Sequence, residues 1–199
     1  PTRALAVTLS ARYNLAELAL RDRRGTSLTG NNRYEHLNPA LGGTWRVLPT
    51  LTGYAGFSEN ARAPTASEIE CANPLQPCLL PSDLASDPPT LRQVIAQTYE
   101  LGLRGRWHGL LAAHAELTWN AGVFRTGLHD DIYGIATTIS SGFFQNIGAT
   151  RREGAEAALR YAAPAWTAHL DYSYVAATFR SELTLPSPFN PHRDGAGDI

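Results

Sequence analysis

Apolar and polar side chains alternate along most of this chain. In the first stretch the odd positions from 5 to 15 are apolar, whereas the even positions from 8 to 14 are polar. The same period of two recurs at residues 101–107, 115–123, 155–161 and 166–174. This period is typical of a β-strand with one apolar and one polar face. The pattern predicts seven strands, near residues 4–20, 33–48, 49–59, 92–106, 109–126, 142–162 and 165–181.

The predicted strands are long, and the connections between them alternate in length. Strands of globular proteins average about 5 to 6 residues, whereas a tilted strand that crosses a bilayer needs about 9 to 11. Long connections at 21–32, 59–91 and 127–141 alternate with short ones at Pro49, at 107–109 and at 163–164. Outer-membrane barrels have short periplasmic turns and longer outer loops. We therefore expect part of an antiparallel transmembrane β-barrel, with a soluble β-sandwich as the alternative.

The polar positions of the predicted strands include charges, which suit a water-lined or plugged lumen. These are Arg104, Glu116, Glu156 and Arg160. The apolar positions are rich in Ala and Leu, with aromatic residues towards the strand ends, as expected of a lipid-facing band with aromatic girdles. Trp107 and Trp166 adjoin short connections, so we expect them in the periplasmic girdle.

Composition narrows the possible classes of protein. The 199 residues carry 17 basic and 18 acidic side chains, a formal charge of -1, which argues against strong attraction to nucleic acid. All 17 basic residues are Arg, and the sequence contains no Met. We therefore expect an internal piece or a mature product. The sequence has no apolar run of about 18 residues that would predict a transmembrane helix.

Several short motifs in the middle of the chain occur in the order seen in one known family. Residues 54–68, which contain Arg62-Ala63-Pro64-Thr65 and then Glu68, resemble the barrel hallmark of TonB-dependent outer-membrane receptors. An Asn-Pro-x-x-Gly stretch precedes this hallmark, and Glu-x-Gly, Asp-x-Ile, Asn-x-Gly and Gly-x-Glu elements follow it. They lie at residues 38–42, 100–102, 130–132, 146–148 and 154–156. One departure is Asn60-Ala61, where the family commonly has Gly-Phe.

The resemblance implies a barrel of about 22 strands with a plugged lumen. Residues 1–199 would then be about seven strands of the barrel domain, without the plug domain, the N-terminal box that the energising protein pulls, or the C-terminal strands. We expect the chain to end within a further outer loop. The family implies a receptor in the outer membrane of a Gram-negative bacterium, without enzymatic activity and without a cofactor. It would import a scarce bulky solute, with an iron-siderophore complex as the default. A passive porin-like barrel is an alternative.

Ligand contacts in such a receptor would come from the outer loops and the upper lumen. The candidate ligand-binding residues are Arg33, Tyr34, His36, Arg62, Glu68, His129, Asp130 and Asp131. Each is alternatively an ordinary solvated loop residue, and Arg62 and Glu68 are alternatively structural partners that join a strand to its loop. The run from His129 to Asp131 does not favour a metal site, since adjacent side chains in an extended segment point to opposite faces.

Two cysteines lie in the longest predicted loop. Cys71 and Cys78 enclose six residues, two of them Pro, and this gap exceeds the usual zinc spacing of two to four residues. An oxidising compartment favours a disulfide at this position, which would stabilise the loop by roughly 2–3 kcal/mol. Two unpaired thiols are the alternative.

Overall fold

The computed structural model describes residues 4–21, 23, 29–75, 77–79, 91–138 and 141–183. In chain order the elements are β1 Leu5–Leu20, β2 Gly30–Leu48, β3 Leu51–Arg62, α1 Ala66–Glu70, β4 Cys78–Leu79, β5 Val94–His108, β6 Glu116–His129, β7 Ile132–Ala136, β8 Ser141–Asn146, β9 Thr150–Ala163 and β10 Trp166–Phe179. In the described residues no helix is long and apolar enough to cross a membrane.

Seven long strands form one antiparallel sheet in the order β1-β2-β3-β5-β6-β9-β10. The all-β antiparallel class expected from the sequence is therefore confirmed. The sheet is not closed, because β1 and β10 are its two edges. A second, three-stranded sheet has the order β4-β8-β7. The residues from 184 to the end, where a further loop was expected, lie outside the described part of the chain.

The connections are sorted between the two ends of the main sheet. Residues 49–50, 109–115 and 164–165 connect strands at one end, which we call the short-turn end. The segments 21–29, 63–93 and 130–149 connect strands at the other end, which we call the long-loop end. Both β4 and the β7–β8 pair lie within these long segments, so the second sheet belongs to the long-loop end.

The predicted strand bounds were wrong at two places. The strand expected from residue 109 begins only at Glu116, because Leu111 and His114 have positive φ and break the extended backbone. Glu116 is thus the first residue of β6 rather than a mid-strand charge. The strand expected over 142–162 is divided by residues 147–149, where Gly148 has a φ of +83°. Its first part, β8, leaves the main sheet for the small one.

One face of the main sheet is apolar and exposed. Leu9 in β1 is 80% exposed and Leu101 in β5 is 61% exposed. An open groove of about 860 Å³ on this face is bordered mainly by Leu, Val, Ala, Gly, Trp and Tyr from all seven strands. An apolar surface of this extent on a sheet indicates a membrane or another protein as its neighbour. Near the short-turn end of the chain's strands, Trp107 stacks on Trp119 with ring centroids 5.7 Å apart.

The opposite face is polar, and glycines allow one ring to lie flat on it. The register places Tyr54 of β3 beside Gly102 of β5, and Gly102 beside Gly122 of β6. A Cβ at Gly122 would lie 2.6 Å from the Tyr54 hydroxyl oxygen, and a Cβ at Gly102 would lie 2.6 Å from the carbonyl oxygen of Ala121. Both positions therefore require glycine for the close approach of the ring and the neighbouring strand.

Asn38 joins three strands where the ladder between β2 and β3 ends. The next residue, Pro39, has no N–H to donate, and the β2–β3 register begins only at Ala40. The Asn38 side chain donates to the carbonyl oxygen of Arg12 in β1 at 3.2 Å and accepts from the Ala61 amide in β3 at 2.7 Å. Its buried amide group thus replaces missing backbone hydrogen bonds at this point of the Asn-Pro-x-x-Gly stretch.

Candidate functional site

The long-loop end carries a folded unit that we call the cap. It consists of α1, β4, β7 and β8 with their joining residues, 66–79 and 132–147, as far as the structure describes them. Apolar side chains give the cap a small core, in which Ile69 of α1 is fully buried and Ile135 and Ile147 are nearly so. Two loops that are far apart in the sequence are thus held together.

The helix of the cap is tied to the end of β3. Arg62 donates to both carboxylate oxygens of Glu68, at 2.8 and 3.1 Å. Thr65 and Glu68 form a capping box, with the Thr65 amide donating to Glu68 at 2.7 Å and the Glu68 amide donating to the Thr65 hydroxyl at 3.3 Å. The Arg-Ala-Pro-Thr stretch therefore begins a helix and fixes its direction relative to the strand.

The Glu68 carboxyl is held in its charged form. Partial burial by itself raises its pKa, but the hydrogen bonds from Arg62 and the Thr65 amide have the larger combined effect. The pKa of Glu68 therefore lies below its ordinary value. Ionised Glu68 is the form that both completes the capping box and pairs with Arg62.

A disulfide joins Cys71 and Cys78, with a Cα–Cα distance of 5.6 Å. It closes the end of α1 onto β4. From there the small sheet continues, since Cys78 is the register partner of Gly142 in β8. The Phe144 amide of β8 also donates to the Cys71 carbonyl oxygen at 2.6 Å. The disulfide therefore lies at the junction between the two long loops.

Asn146 fastens the second loop to the start of β5. Its side chain accepts from the Arg92 amide at 2.9 Å and donates to the Arg92 carbonyl at 3.0 Å and to the Asp130 carbonyl at 2.7 Å. The Arg92 guanidinium also pairs with the Asp130 carboxylate at 2.8 Å. Asn146 and Arg92 were not among the candidate residues of the sequence. The Asn-x-Gly element that contains Asn146 was the available signal.

The adjacent candidates Asp130 and Asp131 have different partners. Asp130 adopts a left-handed backbone conformation, with a φ of +55°. Asp131 accepts from the Thr150 hydroxyl at 2.7 Å and lies 3.6 Å from the Arg152 guanidinium. In the described residues no group of three or more His, Cys, Asp and Glu side chains is arranged to hold a metal ion.

The candidates on β2 form contacts near the same end of the sheet. His36 lies 2.7 Å from Glu59 of β3, and Gln97 of β5 donates to the second oxygen of Glu59 at 2.7 Å. The candidate His129 is the last residue of β6 and the register partner of Ile95 in β5. The structure thus brings His36 and Gln97 to one carboxylate, which the sequence spacing did not predict.

The two remaining candidates have local partners. The Tyr34 hydroxyl donates to the Leu91 carbonyl oxygen at 3.0 Å, and its ring is buried. Arg33 pairs with Glu35 at 3.1 Å and with Glu17 at 3.8 Å, so it belongs to a separate charge cluster on β1 and β2. Most of the candidate charges are therefore used within the protein, where they shape the surface of the long-loop end.

The exposed part of the cap contains apolar side chains that were not among the candidate ligand-binding residues. Leu75, between the two cysteines, is 88% exposed. Tyr133 of β7 is partly exposed and packs edge-on against Phe179 of β10 at a centroid distance of 5.7 Å. The described part of the cap thus exposes apolar as well as charged side chains.

Comparison with known proteins gives a family match. Residues 2–195 match the family described as TonB dependent receptor-like, beta-barrel. A similar solved structure is the double mutant of the Serratia marcescens hemophore receptor HasR in complex with its hemophore HasA and heme, with 20% identity and a TM-score of 0.59. The alignment covers 86% of this chain and 29% of the HasR chain, and at this identity it shows the fold. No curated protein matches the chain.

Proposed function

This chain belongs to the family of TonB-dependent receptor-like β-barrels, and we propose that the protein containing it takes up a scarce, bulky solute across the outer membrane of a Gram-negative bacterium. Energy would come from a TonB-type protein at the inner membrane. We further propose that the solute is an iron-siderophore complex and that the protein has no enzymatic activity. The chain spans 29% of the length of the HasR chain, so these statements concern the whole receptor.

The observation that supports this proposal most strongly is the two-sided sheet with sorted connections. Its apolar face is exposed, its polar face carries charged side chains, and its long connections share one end. A β-sandwich would cover the apolar face with a second sheet of similar size, whereas the small sheet of the described residues belongs to the cap. Lipid on the apolar side and a wet lumen on the polar side account for both faces.

The cap supports a receptor over a passive porin. A folded unit with its own core and a disulfide presents one fixed surface, and pre-organisation of this kind lowers the entropic cost of binding. In this proposal the cap and the loop ends around His36 and His129 contact the solute first. Leu75 and Tyr133 supply apolar contact area.

Uptake by the whole receptor tests this function. A strain that lacks the gene is complemented with the receptor, and uptake of radiolabelled iron is measured for ferric siderophores of several chemical classes. The description of HasR includes heme, so heme is the competing solute in a parallel arm. We expect saturable uptake that requires an active TonB protein. Equal uptake with inactive TonB would contradict the proposed energy source. Uptake of heme without uptake of any ferric siderophore would contradict the proposed solute and identify heme instead.

Two variants, one within the cap and one away from it, test where the solute binds. Leu75→Asp alters a side chain that is 88% exposed, so it leaves the fold intact while removing apolar contact area. We expect weaker solute binding to purified receptor and an unchanged amount of receptor in the outer membrane. Thr8→Asp, on the polar face of β1 away from the cap, is the matched control. Equal binding by both variants would contradict solute contact at Leu75.

A further inference from the structure

The connection between β5 and β6 is the longest of the three at the short-turn end, and it is apolar. Its seven residues, 109–115, have the sequence Gly-Leu-Leu-Ala-Ala-His-Ala, and we call them the apolar turn. The connections 49–50 and 164–165 have two residues each. Leu111 in the apolar turn is 90% exposed. Since two residues suffice to reverse a strand, the extra length and the exposed leucine have another cause.

The apolar turn folds back over the apolar face of the main sheet. The Tyr161 hydroxyl of β9 donates to the carbonyl oxygen of Leu110 in the turn at 3.0 Å. Tyr161 is the register partner of Leu117 in β6. Leu117 and Val123, which borders the open groove of the apolar face, are an even number of residues apart on one strand, so they point to the same face. The turn therefore approaches the sheet from its apolar side.

Local contacts fix this folded-back shape. The Gly109 amide donates to the Ala115 carbonyl oxygen at 2.8 Å, and the Ala115 amide donates to the Ala112 carbonyl oxygen at 3.2 Å. Leu111 and His114 have φ angles of 66° and 64°, a conformation that is unfavourable for residues other than glycine. Two such residues in one turn persist only where the surrounding structure holds them, and strained backbone of this kind is often found at binding sites.

A pocket of about 460 Å³ lies between the apolar turn and the sheet, and we call it the turn pocket. Residues 110–112 of the turn border one side of it, and the sheet borders the other side through side chains such as Leu159 and Trp166. Among the described residues, every side chain that borders the pocket belongs to Leu, Ala, Tyr or Trp. The Tyr161 hydroxyl already donates to the backbone of the turn. The turn pocket therefore offers an apolar surface without charge.

The size of the turn pocket indicates what kind of apolar partner fits it. Its border extends from β6 across β9 to β10, two strand spacings or about 10 Å. Along β9 it extends from Leu159 to Ala163, which is about 13 Å. The resulting area of about 130 Å² is far below the about 800 Å² per partner of a stable protein interface. A volume of 460 Å³ instead lies within the range of about 300–1,000 Å³ that is typical of small-molecule sites.

The position of the turn pocket indicates that this small molecule is a lipid. The pocket opens on the apolar face at the short-turn end, and in outer-membrane barrels this face meets lipid and the short turns lie on the periplasmic side. We propose that the turn pocket retains one acyl chain of a phospholipid of the periplasmic leaflet. The inference rests on the outer-membrane location in the proposed function, and it goes beyond that function because it requires neither a solute nor an energy source.

Counting the phospholipids that stay on the purified whole receptor tests this retention. The receptor is extracted in mild detergent from vesicles of palmitoyl-oleoyl-phosphatidylethanolamine that also contain oleic acid, and native mass spectrometry counts the bound molecules. Ala112→Trp fills the turn pocket, whereas Ala113→Trp changes an exposed neighbour that does not border it. We expect Ala112→Trp to retain one phospholipid fewer than the wild type and Ala113→Trp to match the wild type. Equal numbers in all three proteins, or loss of oleic acid in place of phospholipid, overturn the proposal.

Photo-cross-linking in the same vesicles locates the acyl chain without detergent. The photoreactive residue p-benzoylphenylalanine, which inserts into C–H bonds, replaces Leu111 at the rim of the turn pocket in one variant and Ala113 in the control. Both side chains are exposed, so both variants should keep the fold. We expect a phospholipid adduct through the acyl chain at Leu111, in several-fold higher yield than at Ala113. Equal yields at the two positions, or a protein adduct at Leu111, contradict the proposal.

The lipid site and the proposed function fail in distinguishable ways. Neither the phospholipid count nor the cross-link at Leu111 depends on solute uptake. If uptake proves independent of TonB while Ala112→Trp loses a phospholipid, the proposed energy source fails and the lipid site stands. If uptake requires TonB but both Trp variants retain as much phospholipid as the wild type, only the lipid site fails.

Discussion

Replacing Leu9 with Arg tests which face of the sheet meets lipid. Leu9 lies on the apolar face of β1, where it is 80% exposed. The apolar side chains from Leu5 to Tyr13 span eight residue spacings, or about 26 Å of strand at about 3.3 Å per residue. At a tilt of about 40° that is roughly 20 Å along the membrane normal, which fits within an apolar band about 25 Å tall. Leu9 is therefore placed near the bilayer midplane.

The expected cost of the substitution depends on depth and on face. An Arg on the lipid side costs about 2–4 kcal/mol at the midplane and about 0–1 kcal/mol near the interfaces. We therefore expect Leu9→Arg to destabilise the whole receptor by about 3 kcal/mol and Leu5→Arg by less than about 1 kcal/mol. Ser10→Arg, one residue along the same strand, points to the polar face and should have little effect.

The measurement is guanidinium unfolding of the whole receptor in lipid vesicles, with free energies obtained from the midpoints at a common slope. Leu9→Ala serves as a control, because it removes apolar area without adding a charge. Equal costs for Leu9→Arg and Ser10→Arg would refute the assignment of one lipid face and one wet face. A larger cost at Ser10 would mean that the faces are inverted.

Three further predictions concern the cap and the polar face. Reducing the cap disulfide releases an eight-residue closed loop, which should destabilise the cap by about 2.5 kcal/mol; hydrogen exchange in α1 and β8 should then accelerate while exchange in β5 stays unchanged. Gly102→Ala should destabilise the receptor by about 1–3 kcal/mol, because the added Cβ would overlap the Tyr54 ring. Gly42→Ala is the control, since a Cβ at that position has nothing within 4 Å, and it should be nearly neutral. Thermal unfolding measures both changes. The pKa of Glu68 is lowered in the folded protein, so the ionised carboxylate stabilises the fold fully above the unfolded pKa of about 4.3, and this stabilisation is lost as pH falls through the folded pKa. Hydrogen exchange in α1 should therefore accelerate below about pH 4. Glu68→Gln should abolish that pH dependence.

The main sheet was predictable because each long strand repeats its alternation many times. In β1 and β10, sixteen and fourteen residues carry the signal, so one irregular position does not hide it. The small sheet was not predictable in this way. Its strands have two to six residues, too few to establish a period, and β4 pairs with β8 about 60 positions further along the chain.

The side-chain contacts of the candidate site show the same limit of prediction from sequence. Arg62 and Glu68 are six residues apart in the sequence. The structure contains an ion pair between them, which is the structural role that the sequence analysis gave as the alternative to ligand binding. Asn146 and Arg92 are 54 residues apart, and their contact depends on how two loops fold against each other. A residue list from one sequence therefore finds charged loop positions but not which of those charges meet.

The forces that hold the cap differ in size, and the difference bears on how the long-loop end works. An exposed ion pair such as Arg92 with Asp130 contributes about 0–1 kcal/mol. Closing the disulfide loop contributes about 2.5 kcal/mol, and burying a side chain such as Ile69 contributes about 1.5–3 kcal/mol. The larger contributions act inside the cap, while the smaller ones attach it to the strands. The cap should therefore keep its internal shape when a single ion pair at its base opens.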